Sequence, residues 1–229
     1  MIQLFSMATL KINQIHEMLR LQALMNATVN AKWIDAGYPF LRAVVVEAGE
    51  ALEHVGWKWW KKQHPDLEQV QIELIDILHF YLSALLIEAG GDAESAAQNM
   101  MTKLGSSGII QFDGRQYNLS EINLLELLEL LAGLAAVRRI EFGVLQECFK
   151  HCNLTWRDVV RIYISKNVLN MFRQAHGYKE GTYVKIWNGE EDNVVLARLA
   201  NSLDNTDDEF AKTLYSQLQQ EYVKFASKV

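Results

Sequence analysis

Two pairs of carboxylates, each with a spacing of three residues, are the feature of the sequence that points most directly to chemistry. Glu47 and Glu50 form the first pair, and Glu73 and Asp76 form the second. A spacing of three places both members of a pair on one helix face, so two such helices packed antiparallel bring four carboxylates together. Four anions this close repel one another strongly unless a cation lies among them. Hard oxygen ligands with no cysteine nearby favour Mg²⁺, with Mn²⁺ as a substitute.

The alternative is that each pair lies on a solvated helix face, which is the usual position of a single acidic pair. The second pair argues against this alternative, because Glu73 and Asp76 interrupt a strongly apolar segment that runs from Val70 to Leu78. A helix that is apolar nearly all round is buried, and buried acids need partners. Glu53 continues the first series by three more residues, and either a metal-facing or a solvent-facing position suits it.

A basic stripe on another candidate helix complements the acids. Lys166, Asn170 and Arg173 fall at positions i, i+4 and i+7. Residues 155–185 carry six Lys or Arg and two acids, a local charge of +4, whereas residues 47–94 carry ten acids and three bases, a local charge of −7. Opposite charges of this kind suit a polyphosphate, whose oxygens accept hydrogen bonds from lysine and arginine. A solvated helix face is the alternative interpretation of the stripe.

Aromatic and amide side chains suggest how a base would be bound. Trp57, Trp59 and Trp60 lie within four residues between the acidic pairs. They cannot all face one core, so at least one is expected at a pocket, an interface or a partner, and a ring beside a phosphate site would suit stacking on a nucleobase. On the first candidate helix, Gln22 and Asn30 offer amides that both donate and accept, although two amides eight residues apart are no signal by themselves.

The rest of the sequence predicts an all-α protein that presents these groups on helices. Apolar residues recur at threes and fours, and only two prolines and 13 glycines interrupt the 229 residues. The predicted helices span about 7–30, 39–57, 65–89, 92–104, 121–151, 155–175, 193–203 and 206–224. Residues 105–119 are predicted to be a small hairpin or a loop, with Asp113 and Gly114 as its turn, and 176–193 to be an ordered loop.

The helix starts have recognisable residues, and the helices are expected to form one domain. Proline suits the starts at Pro39 and Pro65, and the predicted N-caps are Asp92, Ser120 and Thr155. We expect a single all-α domain over residues 1–229, built as a multi-helix bundle. Its core helices lie at about 7–104 and 155–203, and a mobile sub-domain at about 105–151 is expected to close over ligand.

The composition limits the classes of function. Half of the residues are apolar, which excludes a disordered chain, and the net charge of −6 argues against a broad nucleic-acid-binding surface. The longest uncharged apolar stretch, Ile77 to Ile87, is too short to span a membrane, and no signal peptide is visible, so we expect a cytoplasmic protein. Cys148 and Cys152 are predicted to be buried thiols, because a zinc site with His151 would lack a fourth ligand and a common helix face.

Several segments, taken together, resemble one enzyme family. They are Glu47xxGlu50; Gly56-Trp57-Lys58-Trp59-Trp60-Lys61; Glu73xxAsp76 with His79-Phe80; Lys166xxxAsn170xxArg173 with His176-Gly177-Tyr178-Lys179; and Trp187-Asn188-Gly189-Glu190-Glu191-Asp192-Asn193. This set resembles the dimeric all-α dUTPases of some bacteria, phages and trypanosomatids, over about residues 15–200. The two acidic motifs are shared with the wider all-α nucleoside triphosphate pyrophosphatases, including MazG-like enzymes. The tryptophan-rich segment and the basic block indicate the dUTPase branch, whereas residues 105–119 match no motif of the family.

The resemblance implies an intertwined homodimer that hydrolyses dUTP, and also dUDP, to dUMP, with each active site completed by the second subunit. In the family, water attacks the β-phosphate. The implied catalytic residues, which would hold two or more Mg²⁺ ions and orient or deprotonate the water, are Glu47, Glu50, Glu73 and Asp76. The implied phosphate-binding residues are Lys166, Asn170, Arg173, Tyr178 and Lys185. The implied base- and sugar-binding residues are Gln22, Asn30, Trp60, His79, Phe80 and Asn193.

Three other functions fit parts of the same sequence. A pyrophosphatase for another nucleoside triphosphate, such as dCTP, would differ only in how the base edge is read. A di-iron bundle would use Asp76 with His79 and Glu50 with His54, but such a site needs an acid-x-x-histidine pair on each of two helices and would give the basic stripe no task. A non-catalytic helical dimerisation module is the third.

Overall fold

A computed structural model describes residues 10–105, 108–205, 207 and 209–226, and within these ranges the chain forms nine α-helices and two short hairpins. The elements are α1 (Ile12–Val29), α2 (Phe40–Val55), α3 (Leu67–Glu88), α4 (Ala93–Leu104), β1 (Ile109–Phe112), β2 (Arg115–Asn118), α5 (Leu124–Ala136), α6 (Phe142–His151), α7 (Trp156–Ala175), β3 (Ile186–Trp187), β4 (Glu190–Glu191), α8 (Asp192–Asn201) and α9 (Phe210–Ala226). The all-α prediction is confirmed, and the intertwined homodimer stays a prediction.

The chain divides into two compact units, one up to Val159 and one from Val160 onward, with the boundary inside α7. The first unit contains α1 to α6 and the β1–β2 hairpin, and the second contains most of α7, the β3–β4 hairpin, α8 and α9. The single domain and the mobile sub-domain at 105–151 stay predictions.

Helices α2 and α3 pack side by side in the first unit, and their register decides which side chains meet. Phe40, at the start of α2, stacks on Phe80, in the second half of α3, with ring centroids 6.4 Å apart. Near the other end, His54 Nε2 of α2 lies 3.6 Å from Glu73 Oε1 of α3. Residue numbers therefore rise along one helix as they fall along the other, so the pair is antiparallel, as the acidic motifs predicted.

The ends of α2 and α3 follow from local chemistry. The prediction that α2 starts near Pro39 is confirmed, and the helix ends at Gly56, whose φ of 86° is a left-handed conformation that glycine adopts without steric cost. Helix α3 begins one residue after Asp66, whose side chain accepts a hydrogen bond from the Gln69 amide. The short connection between α2 and α3 carries the three tryptophans.

Helix α3 is apolar on almost every side and is the central helix of the first unit. Its packing partners include α1, α2, α4 and α6. By length and composition, α3 could cross a membrane, since an 18-residue segment of it has a mean hydropathy of 1.7. However, 67% of that segment is buried inside the protein, as in the core helix of a folded domain. The acids Glu73 and Asp76 therefore sit on a helix whose other faces are fixed by packing. The absence of a membrane partner stays a prediction.

The prediction of one helix over residues 121–151 is wrong. The structure has two helices, α5 and α6, separated at residues 137–141, and the N-cap is Asn123 rather than Ser120. Asn123 and Glu126 form a reciprocal capping box, which Ser120 is placed too early to make. The chain reverses at Arg138, where φ is 66°, and the next residue, Arg139, bonds to Glu141 and to the carbonyl of Gln111. Apolar periodicity continues through this break and gives no sign of it.

Residues 109–118 form the hairpin that was one of the two predictions for this segment. Ile109 pairs with Asn118 and Phe112 with Arg115 in an antiparallel register. The turn residues Asp113 and Gly114 both have positive φ, 49° and 70°, as a type I′ turn requires.

The remaining local predictions have mixed outcomes. The N-caps at Asp92 and Thr155 are confirmed by hydrogen bonds to their own first turns. Cys148 and Cys152 are buried free thiols, as predicted, and burial raises the pKa of Cys152 to about 11. The predicted loop at 176–193 contains the β3–β4 hairpin, whose strands have two residues each. The last helix begins at Phe210, later than predicted, and the predicted start at Thr206 lies outside the described residues.

Candidate metal and nucleotide site

Three of the four predicted acids converge in the first unit. Glu47 of α2 and Glu73 and Asp76 of α3 each offer one carboxylate oxygen, and these oxygens all lie within 4.8 Å of one another. We call these three residues the acidic cluster. Glu50 lies one helical turn beyond Glu47, is exposed and is not part of the cluster, although its charge acts on Glu47.

Burial and the neighbouring acids together raise the pKa of Glu47 to about 7. Burial is the largest cause, and the charges of Asp76, Glu50 and Glu73 raise the pKa further. A hydrogen bond with Glu73 also favours the protonated form. A divalent cation would relieve this repulsion in place of the proton, and three carboxylate oxygens are the donors that hard cations prefer. The cluster therefore fits a metal such as Mg²⁺ or Mn²⁺.

Neighbouring residues on α2 have other roles. Glu53 accepts hydrogen bonds from the Trp57 indole at 2.8 Å and from the Lys58 ammonium at 2.5 Å, so it faces the tryptophan connection rather than the cluster. Among the described residues, the acidic cluster contains no histidine, which disfavours the di-iron alternative. The His54 ring lies beside Glu73 without joining the cluster.

A cavity of about 540 Å³ lies next to the cluster in the first unit. Phe80 and Ala43 are two of its lining residues, and they lie four residues, or about 6 Å along the helix axis, from Asp76 and Glu47 respectively. Most of the lining is apolar or aromatic, and Asn26 contributes an amide. Its volume is in the usual range for small-molecule sites, and an apolar pocket with a few polar groups suits a nucleobase.

Two of the predicted base-binding residues meet in a buried network beside this cavity. Nδ1 of His79 lies 2.9 Å from Oε1 of Gln22, and the Gln22 amide nitrogen donates to Ser83 Oγ at 2.9 Å and to Asn26 Oδ1 at 3.1 Å. Sequence reasoning missed Asn26 and Ser83. Their only sequence signals are a spacing of four from Gln22 on α1 and from His79 on α3.

The structure places Asn30 and Trp60 outside this hydrogen-bond network. The Asn30 amide donates to the hydroxyl of Tyr38, a residue that lines the cavity, at 2.8 Å. Trp60 packs edge-on against Trp57 and Trp59, with ring centroids 5.2 and 4.6 Å away, and its side chain is 58% exposed. Of the described residues that line the cavity, none belongs to this tryptophan group.

In the second unit, the predicted phosphate-binding residue Arg173 forms a buried ion pair that sequence reasoning missed. Arg173 Nε and Nη2 each donate to one carboxylate oxygen of Asp192 at 2.8 Å. Arg173 Nη2 also lies 3.4 Å from Asn193 Oδ1. The Tyr178 ring lies under two cations, with the Arg173 guanidinium carbon 5.9 Å and Lys185 Nζ 5.6 Å from its centroid. Asp192 starts α8 and is the first acid after the β3–β4 hairpin.

The protonation of this pair is fixed over the physiological range. The hydrogen bonds that Arg173 donates to Asp192 raise the pKa of Arg173 above its ordinary value. Burial alone would raise the pKa of Asp192, but hydrogen bonds from Arg173 and Tyr183 outweigh it and the pKa is lowered. Burial and the bond to Asp192 raise the pKa of Tyr183, whose hydroxyl donates to the carboxylate at 2.8 Å. Asn170 lies one turn, and Lys166 two turns, before Arg173 on the same side of α7.

Comparison with known proteins identifies the family of the chain. A family model described as dUTPase matches residues 14–178, which is well over half of the chain. No curated protein matches the chain. The chain belongs to the all-α dimeric dUTPase family, whose members are dUTP diphosphatases that act on phosphoric anhydrides.

Proposed function

We propose that this protein hydrolyses dUTP to dUMP and pyrophosphate, and dUDP to dUMP and phosphate, with Mg²⁺ held by the acidic cluster and Glu50. The convergence of Glu47, Glu73 and Asp76 within 4.8 Å is the observation that carries the proposal. When bound, a divalent cation polarises phosphate oxygens and lowers the pKa of a coordinated water. The carboxylates hold the cation, and one of the four orients the attacking water. Mn²⁺ is expected to substitute, because it prefers the same donors.

The second unit supplies the groups that we propose for phosphate binding. Arg173 presents five N–H donors in a fixed plane, of which Asp192 takes Nε and one from Nη2. The remainder of the guanidinium is proposed to donate to phosphate, where it stabilises negative charge on the departing group. The other proposed phosphate ligands are Lys166, Asn170, Tyr178 and Lys185.

We propose that uracil occupies the cavity beside the cluster. Phe80 would provide a stacking surface, and Gln22 and His79 would supply polar groups near the base edge. The apolar lining and the buried amides support this assignment. Asn30, Trp60 and Asn193 keep their proposed base and sugar roles, and a homodimer is proposed to complete each site.

One substrate panel tests the activity: dUTP, dCTP, dTTP, UTP and dUDP, each with Mg²⁺ and with EDTA. We expect dUTP and dUDP to give dUMP only with metal. Attack at the β-phosphate is tested with H₂¹⁸O, because the label should then enter pyrophosphate rather than dUMP. Preferential hydrolysis of dCTP would replace the dUTPase assignment by the MazG-like alternative, and no hydrolysis of any nucleotide would refute the enzyme assignment.

Glu73→Gln tests the metal site, because it removes one charge and one ligand oxygen at nearly constant volume. We expect kcat with dUTP to fall about 100-fold or more. Glu68→Gln is the matched control, since it makes the same change on an exposed turn of α3 and should leave activity unchanged. Near-normal activity of Glu73→Gln at saturating Mg²⁺ would contradict the metal assignment.

A further inference from the structure

The hydroxyl of Ser83 joins α3 to the two buried amides of α1. Ser83 is fully buried, and its oxygen lies 2.9 Å from Gln22 Nε2 and 3.0 Å from Asn26 Nδ2. The same oxygen lies 3.0 Å from the backbone carbonyl of His79, one turn earlier on α3. Ser83 thus contacts Asn26, which lines the cavity, and also Gln22 and His79, which are proposed to lie near the edge of the base.

The direction of these hydrogen bonds follows from where Ser83 donates its one proton. A serine hydroxyl has one proton, and here it is donated to the His79 carbonyl, which can only accept. The Ser83 oxygen must therefore accept from both amides. Each amide can satisfy it only with its NH₂ group, so neither Gln22 nor Asn26 can rotate its oxygen toward Ser83 without placing two acceptors in contact.

Fixed amides give the base-reading edge a fixed polarity. With its NH₂ group held at Ser83, Gln22 turns its oxygen toward His79 Nδ1, 2.9 Å away, while Asn26 turns its oxygen toward the Gln22 amide. Uracil presents an acceptor at O4 and a donor at N3, whereas cytosine presents a donor at N4 and an acceptor at N3. An amide that can flip serves both bases, and an amide held in one orientation favours one of them.

We propose that Ser83 is a positioning residue that makes the site select uracil over cytosine by fixing the orientation of the Gln22 and Asn26 amides. The inference rests on the proposed function, because it requires that Gln22 reads the base. Ser83 belongs to neither the acidic cluster nor the cavity lining, so it acts through the amides. Removing the hydroxyl therefore changes substrate preference and KM, and leaves the chemical step nearly intact.

Ser83→Ala is the direct test. We expect kcat/KM for dUTP to fall about 10- to 100-fold, mostly through KM, and the ratio of kcat/KM for dUTP over dCTP to fall at least about tenfold. The kcat at saturating dUTP should stay within about threefold. Calorimetry in EDTA gives an activity-independent measurement, in which dUMP affinity falls while dCMP affinity is unchanged or rises.

Three further variants separate this role from a structural one. Tyr81→Phe removes another buried hydroxyl from α3, on the side that packs against Phe142, and should leave the dUTP over dCTP ratio unchanged. Ser83→Thr keeps a hydroxyl and should retain most of the ratio. If Ser83→Ala does not fold, Ser83→Cys takes its place, because a thiol of similar size is a weak donor and acceptor.

The outcomes are distinguishable. A folded Ser83→Ala or Ser83→Cys enzyme with the dUTP over dCTP ratio and dUMP affinity of the unsubstituted protein overturns the inference about Ser83. A kcat that falls with KM and the ratio unchanged also overturns it. If the unsubstituted protein hydrolyses neither dUTP nor dCTP, or prefers dCTP, the proposed function fails instead.

Discussion

Replacing Glu47 by Gln should stabilise the metal-free protein at alkaline pH, although Glu47 is a proposed metal ligand. The folded protein raises the pKa of Glu47 from 4.5 to about 7. At about 1.4 kcal/mol per pKa unit, this shift corresponds to ~3 kcal/mol of unfavourable free energy in the ionised state. Solvent screens this partly exposed group, so we expect Glu47→Gln to raise the free energy of unfolding by about 1–2 kcal/mol.

The sign of the effect depends on pH in a defined way. Below pH 4.5, Glu47 is protonated in both the folded and the unfolded chain, so Glu47→Gln changes the free energy of unfolding little. Between pH 4.5 and 7, the unfolded chain ionises Glu47 while the folded chain keeps its proton, and the stability of the unsubstituted protein falls relative to the variant. Above pH 7 the variant has its full advantage in free energy of unfolding over the unsubstituted protein.

Urea unfolding in EDTA at pH 5 and pH 8 measures this difference. Glu53→Gln is the control on the same helix, because its hydrogen bonds from Lys58 and Trp57 lower the pKa of Glu53 and the substitution should destabilise at pH 8. A Glu47→Gln variant that is less stable at pH 8, or that differs from the unsubstituted protein equally at both pH values, would refute the convergence of charge on which the metal site depends.

Three further results are expected. Calorimetric titration with Mn²⁺ should show affinity falling and proton release appearing below about pH 7, because the cation must displace the Glu47 proton, and Glu47→Gln should release none. Asp192→Asn should lower the free energy of unfolding in urea by about 1–3 kcal/mol and raise KM for dUTP, because Arg173 loses its charged partner. This loss of stability should shrink below about pH 4, because the lowered pKa of Asp192 stabilises the fold only where the carboxyl of the unfolded chain is ionised. Gly133→Ala should gain less than the ~1 kcal/mol typical of a helix interior, because its Cβ would lie 3.1 Å from Phe112 Cε1, and the gain should return in a Phe112→Ala background.

The parts of the fold that sequence predicted well depend on neighbours in the chain. A spacing of three is enough to place Glu73 and Asp76 on one side of α3, and an Asp-Gly pair is enough to favour the turn at Asp113. Helix starts at Pro39 and Asp92 have the same local origin. Each of these features is set within a few residues, where steric preference and capping chemistry act without reference to the rest of the protein.

The missed features depend on contacts between distant segments. Gln22 and Ser83 are 61 residues apart in sequence, and their hydrogen bond exists only because α1 packs against α3. The break between α5 and α6 is similar, since Arg139 turns back to the Gln111 carbonyl of the hairpin, 28 residues earlier. Neither contact leaves a periodic signal. Sequence spacing therefore predicted the acidic cluster better than it predicted the buried hydrogen bonds between α1 and α3.

The Arg173–Asp192 pair shows why a charge count is a poor guide to the proposed phosphate site. Residues 155–185 carry a local charge of +4, but Asp192, seven residues beyond that segment, binds Arg173 with both carboxylate oxygens. The pair is nearly neutral as a whole, so Arg173 contributes little long-range attraction. It contributes direction instead, because the carboxylate locks the plane of the guanidinium and hence the direction of its other donors. A lysine has no such plane, which is the physical reason for an arginine at this position.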